Sequence, residues 1–346
     1  MPNLLAIQTS HEAQVLAAFR ESIQAVRDQA TVAEIVSLLE VGDVDGVITL
    51  LDLDQSTFEP LEEAIRQAYR EGGLVGAEQI GSIPIDAGTV AAKFSMQSQA
   101  AVQWIANMSA RLVTEIVDDQ RQMIRERLTE AVSSGVNPRT AALDLVGRID
   151  QRTKKRAGGF IGLTSGQAKW AANARTELES LDSSYFQRKL RDKRYDSTIR
   201  KAINEGKPLN QTQIARIVNS MQHKILKYRG DVISRTESLN ALRAGQYEAI
   251  RQAAEKGEVS LQEVMKEWDA TMDKRTRLDH MEMEATYSGD GAIPFNQVFI
   301  APDGSRLRFP GDVELGASAK EVIQCRCRCV YKIDFIGRQA RVEGFR

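Results

Sequence analysis

Apolar residues recur three and four positions apart over most of this chain, and that spacing predicts helices. The first begins with Ser10 as its N-cap and carries Val15, Phe19, Ile23 and Val26 on one face. Two further helices are expected over "TVAEIVSLLEVGD" and "LEEAIRQAYREGG", the second closed by Gly72-Gly73. From about Ser98 to Ser134 a stripe of Val102, Ile105, Met108, Leu112, Ile116, Met123 and Leu128 predicts one long helix. Gly135 stops it, Pro138 suits the first turn of the next, and Thr164 or Ser165 caps a third in this region. Ile214, Val218, Met221, Ile225, Val232, Leu239 and Leu242 then mark another long helix, with a bend expected near Gly230.

After about Gly257 the period changes. "VMKEWDAT" has the texture of a strand, "KRTRLDHMEMEA" of a short helix, and "NQVFIAPDGSRLRF" of a hairpin turning at Pro302-Asp303-Gly304. "AKEVIQCRCRCVYKIDF" closes with one more strand. The expected fold is mainly α: a long-helix body followed by a small C-terminal α+β domain.

Charge divides this picture further. Residues 1–150 hold 11 basic and 22 acidic side chains, residues 151–230 hold 18 and 6, and the remainder 17 and 19. Three regions are therefore expected: an acidic helical 1–90, a helical 91–230 with a basic 151–230 segment, and an α+β 231–346. The basic segment could attract a polyanion, and its candidates for DNA contact are Arg152, Lys154, Lys155, Arg156, Arg191, Lys193 and Arg194. Solvated helix faces of unequal sign would explain the same counts. "QRTKKRAGGFIG" reads as an exposed basic loop. No run approaches the ~18 apolar residues of a membrane span, and the N-terminus lacks the basic start of a secretory leader, so folding in a reducing cytoplasm is expected.

The candidate chemistry is concentrated near the end. All three cysteines, Cys325, Cys327 and Cys329, alternate with Arg326 and Arg328. On an extended strand the thiols would share one face and the arginines the other, which is how a half-buried strand looks. Two other readings exist. Zinc could be held with His280 and the nearby Asp273, Asp279 and Glu282, although C-x-C lacks the short turn of the usual paired ligands. A nucleophilic cysteine could pair with His280, the only histidine of this region. Upstream, "WDATMDKRTRLDH" gathers Asp273, Arg275, Arg277, Asp279 and His280. Asp273 is placed to cap the helix that follows, and the arginines to meet carboxylates or, alternatively, a phosphate. In "ISRTES", Arg235 and Glu237 stand two apart on a helix and so serve different neighbours, Arg235 reaching toward the C-terminal domain. Phosphate-loop, nucleophile-elbow, zinc-protease and DNA-reading signatures are absent from the sequence.

Taken in order, "ISRTES", "W-D-A-T-x-D-x-R-T-R-x-D-H", a hairpin containing phenylalanine, "F-P-G-D" and a closing "C-R-C" resemble the phage Mu F-like head-morphogenesis family, the minor head proteins of tailed bacteriophages. The likeness covers about residues 230–334. On it, Arg235 and Glu237 fall on the family's R-T-E helix. Trp268, Asp273, Arg275, Arg277 and His280 fall on its central motif, Pro310 and Asp312 on its turn, and Cys325, Arg326 and Cys327 on its C-R-C. This chain departs in the third cysteine, Cys329, and in "HMEMEAT", where members often carry a glycine.

The resemblance implies a virion component inside the phage head near the portal, made in the bacterial cytoplasm and acting in head assembly without catalysis. Its partners would be the portal, a scaffold or major capsid protein, and packaged double-stranded DNA bound non-specifically, with no membrane. No cofactor is expected, zinc being the minority alternative. The rival functions are a metal- or cysteine-dependent enzyme and a toxin-linked effector.

Overall fold

The computed structural model describes residues 4–85 and 88–334. In chain order the first elements are α1 (Leu4–Asp28), α2 (Val32–Glu40), α3 (Val44–Leu50), α4 (Glu59–Ile80), β1 (Ser82–Ile85) and β2 (Gly88–Ala91). Next come α5 (Gln99–Ser133), α6 (Pro138–Val146), β3 (Arg148–Ile149), β4 (Arg156–Ala157), α7 (Ser165–Glu179), α8 (Asp196–Glu205) and α9 (Gln211–Glu255). The C-terminal part adds β5 (Val264–Asp269), α10 (Leu278–Tyr287), β6 (Ile293–Pro294), β7 (Phe299–Ile300), β8 (Arg306–Leu307), α11 (Ala319–Val322) and β9 (Arg328–Ile333). The protein is mainly helical, with long helices in the body and a small C-terminal region of short antiparallel strands. Among the described residues no helix is long and apolar enough to cross a membrane.

Local chemistry accounts for several helix starts. Thr31 accepts from the Glu34 N–H while the Glu34 carboxylate takes the Thr31 N–H, so two orphan donors of α2 are satisfied at once. Thr164 and Gln167 do the same for α7. Asn137 caps α6 ahead of Pro138, whose missing N–H removes nothing there. Other expectations are corrected. α1 already starts at Leu4, so Ser10 lies inside the helix and not at its cap. α9 is helical without interruption through Gly230. Val102, placed on the stripe of α5 by its spacing, is exposed.

α4 runs on through Gly72-Gly73 to Ile80 instead of stopping there. The reason is packing against α9. A Cβ at Gly72 would run into the Leu242 carbonyl, and one at Gly245 into the Tyr69 carbonyl. These glycines let two backbones touch; they do not end a helix.

By their contacts the residues form two units, each assembled from interleaved stretches of chain. One comprises 17–61 and 110–231. Its distinctive feature is a buried glycine loop: Gly159 and Gly162 take φ of +79° and +96°. Polar side chains from three helices satisfy the loop's backbone, as buried peptide groups require. Arg27 donates to the Ile161 carbonyl at 2.7 Å, and Gln120 accepts from the Gly162 N–H at 2.7 Å and donates to the Leu163 carbonyl at 2.9 Å. Arg229 reaches the Gly162 carbonyl at 3.0 Å and Asp119 at 2.8 Å. The expected exposed loop is thus two things: an exposed turn between β3 and β4, then a buried glycine run.

The other unit comprises 1–16, 62–109 and 232–346. Its sheet has the order β6-β5-β9, all antiparallel, with Trp268 opposite Cys329 and Asp269 opposite Arg328. β7 and β8 form the expected hairpin. Ile250 and Ala253 of α9 pack with Val264 and Phe295 beneath the sheet, and α10 lies against β5.

Candidate metal centre

Three elements deliver side chains to one buried point. β5 carries Trp268, α10 carries His280, and the stretch between α11 and β9 carries Cys325 and Cys327. The strand expected over all three cysteines begins only at Arg328, so Cys325 and Cys327 precede it. Alternation survives nevertheless: all three thiols are buried, Arg328 is exposed and Arg326 half-buried. Gln324 turns the chain here with φ of +55°, an unfavourable conformation for a residue with a side chain. Its N–H donates to the Thr236 hydroxyl at 3.0 Å, and the next carbonyl, that of Cys325, accepts from Arg243 at 2.8 Å. Arg243 also holds the Pro310 carbonyl at 3.1 Å. The adjacent Gly311 has φ of +87°, and a Cβ there would lie 2.9 Å from that guanidinium.

His280 Nδ1 lies 3.1 Å from Cys327 Sγ and 3.8 Å from Cys325 Sγ. Its Nε2 is 3.0 Å from the buried Glu321 carboxylate. The Trp268 ring stands edge-on to the imidazole at 5.5 Å and to Phe299 at 5.3 Å, covering one side of the group. Burial disfavours the imidazolium, yet contact with Cys325 and the charge of Glu321 outweigh it, and the His280 pKa is raised. The two thiols diverge. A hydrogen bond from Cys327, helped by Arg243 and His280, holds Cys325 well below the usual range, while Cys327 keeps the proton and is pushed up. Cys329, buried apart from this pair, rises to about 11.

His280, Cys325 and Cys327 form a group able to hold a metal ion. Tetrahedral zinc with bonds of about 2.0 Å to nitrogen and 2.3 Å to sulfur sets an imidazole and a thiolate about 3.5 Å apart. The observed separations lie on either side of that distance. An imidazole whose far nitrogen faces a carboxylate is also the usual arrangement around a metal-bound histidine.

Asp273 does not cap α10, whose N-cap is Arg277 without a side-chain bond. It grips Arg326 with both oxygens at 2.7 and 2.6 Å, which holds its carboxyl far below the ordinary range. Arg275 is 3.3 Å from the same carboxylate. Arg277 donates to the Ile323 carbonyl. Arg235 takes as its carboxylate partner Glu12 of α1, at 3.4 Å, and among the described residues no acid of the C-terminal segment. Glu237 is buried on α9. Asp312 is buried and pairs with Arg308 at 2.7 and 2.9 Å. Asp279 pairs with Lys320 and is not part of the His–Cys group. Glu282 is likewise outside it.

Among the DNA-contact candidates, Arg152, Lys154 and Lys155 are exposed on the β3–β4 turn, and Lys193 is exposed before α8. Arg156 lies 3.8 Å from Asp28, Arg191 binds Asp196 with two bonds, and Arg194 is 2.6 Å from Asp192. A depression of about 570 Å³, in the unit of 17–61 and 110–231, is lined by residues such as Thr49, Asp54 and Arg121 and by no histidine or cysteine.

Glu321 and Arg243 were not among the sequence candidates. Their partners lie 41 and 82 positions away, and no local spacing announces them. Fold and site together define a mainly helical protein with a buried histidine–cysteine centre in a small α+β region. Comparison with protein-family models, with curated proteins and with solved structures found no match.

Proposed function

We propose that this chain is a minor head protein of a tailed bacteriophage, a virion component that acts in head assembly at the portal and touches packaged double-stranded DNA without sequence preference. Its work is binding, with the portal, a scaffold or the major capsid protein as partner. One observation carries the reading. The separate pieces on which the resemblance rests meet around one centre: Thr236 of the R-T-E helix bonds to Gln324, His280 meets Cys325 and Cys327, Asp273 grips Arg326, and the F-P-G-D turn is tied to the cysteine segment through Arg243. Residues scattered over a third of the chain are thus one structural device, which is what an ordered motif set would need.

Within this device we assign zinc to His280, Cys325 and Cys327. Two thiols and an imidazole suit a borderline-soft ion, and in so small a strand region a bound metal would contribute directly to folding. A second reading, a metal-dependent enzyme, draws support from one feature: a cavity of about 110 Å³ reaches His280 and Cys327, as a centre with an open position would require.

The test uses the tagged full chain. Captured from a lysate of cells producing the phage, it is expected to bring the portal with it; an eluate holding no portal, scaffold or capsid protein overturns the head-protein reading. Elemental analysis of the same preparation is expected to give about one zinc per chain, lost in Cys327→Ser. Metal-free wild-type protein would remove zinc and the metal-enzyme reading while leaving the portal result to stand or fall alone.

A further inference from the structure

The cavity beside the His–Cys–Cys group has a lining whose charge does not balance. Four arginines line it, Arg235, Arg275, Arg277 and Arg326, together with Thr271 and Thr276. Two carboxylates answer these four charges. Glu12 serves Arg235, and Asp273 is shared by Arg326 and Arg275. Arg277 donates to a neutral carbonyl, that of Ile323. Two positive charges are therefore left over around a small recess, where like charges repel at close range.

α10 starts at Leu278 immediately after Arg277, which makes no side-chain cap bond, so the positive end of the helix lies beside the arginines, while its first-turn acid, Asp279, is paired with Lys320. Part of this lining is held in place. The Asp273–Arg326 pair fixes one fork, the Thr276 hydroxyl is tied to the Thr271 carbonyl, and the cavity wall at Gln324 is locked by Thr236. Planar, oriented guanidinium groups match the oxygens of a tetrahedral anion better than a flexible ammonium would.

Size narrows the ligand. About 110 Å³ is well under the ~300–1,000 Å³ of pockets that enclose whole small molecules, and it holds the equivalent of a few waters. We propose that this cavity binds a single phosphate group, presented as the free ion, as a terminal monoester or as a backbone diester. The site neither requires the zinc assignment nor depends on the head-protein reading.

The full chain is titrated with inorganic phosphate at constant ionic strength, chloride serving as the balancing salt, and binding is followed by calorimetry. Saturable binding is expected in the wild type, weakened at least tenfold in Arg277→Gln and several-fold in Arg275→Gln. Arg275 is largely exposed, and Asp273 keeps Arg326 without it, so that variant retains the fold if the first does not. Lys207→Gln, at an exposed lysine just beyond α8, is expected to bind as the wild type does. No saturable binding beyond chloride, or equal affinity in wild type and both cavity variants, overturns the proposal. Adding a nucleoside 5′-monophosphate and a dinucleoside monophosphate in parallel identifies the source. Binding of the diester points to a nucleic-acid backbone, binding of the monoester but not the diester to a terminal phosphate, and binding of inorganic phosphate alone to the free ion.

Discussion

Lys266 stands on β5 with no exposed surface, which is rare for a side chain that carries a charge in water. Its ammonium donates to the Arg308 carbonyl at 2.7 Å and lies over the rings of Phe299, Phe295 and Tyr247, at 4.9, 5.8 and 5.8 Å from their centres. Burial outweighs the pull of Cys329 and Asp312 and lowers its pKa to about 8. An ordinary lysine in the unfolded chain keeps its proton up to about pH 10.4. Between these values the unfolded state binds a proton that the folded state has released, so this group makes stability rise with pH from about 8 to 10.4. The gain is on the order of 3 kcal/mol at most. Cys329, with its raised pKa near 11, works in the opposite sense at alkaline pH, so the comparison has to be made between proteins. Lys266→Met is expected to lose the alkaline gain, read as the pH dependence of the denaturant midpoint in variant and wild type. Parallel profiles would refute it. At this scale the alternation of buried thiols was legible along the chain, because a period of two needs only neighbouring residues. The charge of Lys266 inside the sheet, and the roles of Glu321 and Arg243, were not, because they arise from partners distant in sequence.

Helices were the easiest elements to foresee, since apolar spacing at 3.6 residues and cap residues such as Thr164 act over a single turn. Gly72-Gly73 misled for a physical reason. A glycine pair reads as a stop unless another backbone fills the space, and the backbone that fills it belongs to α9, far along the chain. The same observation yields a contrast between glycines. Alanine is the better helix former by about 1 kcal/mol, so an exposed helical glycine should gain from the change. Gly166, in the first turn of α7, has no neighbour nearer than 4.0 Å to an added Cβ, and Gly166→Ala is expected to stabilise by a few tenths of a kcal/mol. Gly245→Ala puts its methyl against the Tyr69 carbonyl and Gly73, backbone that cannot rotate away. A loss of about 1–3 kcal/mol or more is expected despite the propensity gain, measured by chemical denaturation. If Gly245→Ala proved as harmless as Gly166→Ala, the close approach of α4 and α9 would be wrong.

For the whole molecule, charge counting and charge availability differ, and the difference bears on how strongly DNA could be held. Composition credits residues 151–230 with 18 cations against 6 anions. Structure commits several of those cations internally: Arg188 to Glu177, Arg191 to Asp196, Arg194 to Asp192, and Arg229 to Asp119. Of the seven proposed contacts, Arg152, Lys154, Lys155 and Lys193 are exposed and have no carboxylate within ion-pair distance among the described residues. Each phosphate neutralised on duplex DNA contributes about 0.9 to the slope of log affinity against log salt. Four contacts then give a slope near −4, where seven would give about −6. Binding of the full chain to a random-sequence duplex, followed by fluorescence anisotropy between 50 and 200 mM salt, is therefore expected to weaken by a slope of about −4. Replacing Arg152, Lys154 and Lys155 by glutamine should flatten that slope by about 3, with no preference for sequence gained or lost. Affinity indifferent to salt would remove the basic segment from any role at DNA. A slope that stays steep in the triple variant would move the contact elsewhere on the molecule, because the phosphates would then be meeting cations other than those of the β3–β4 turn.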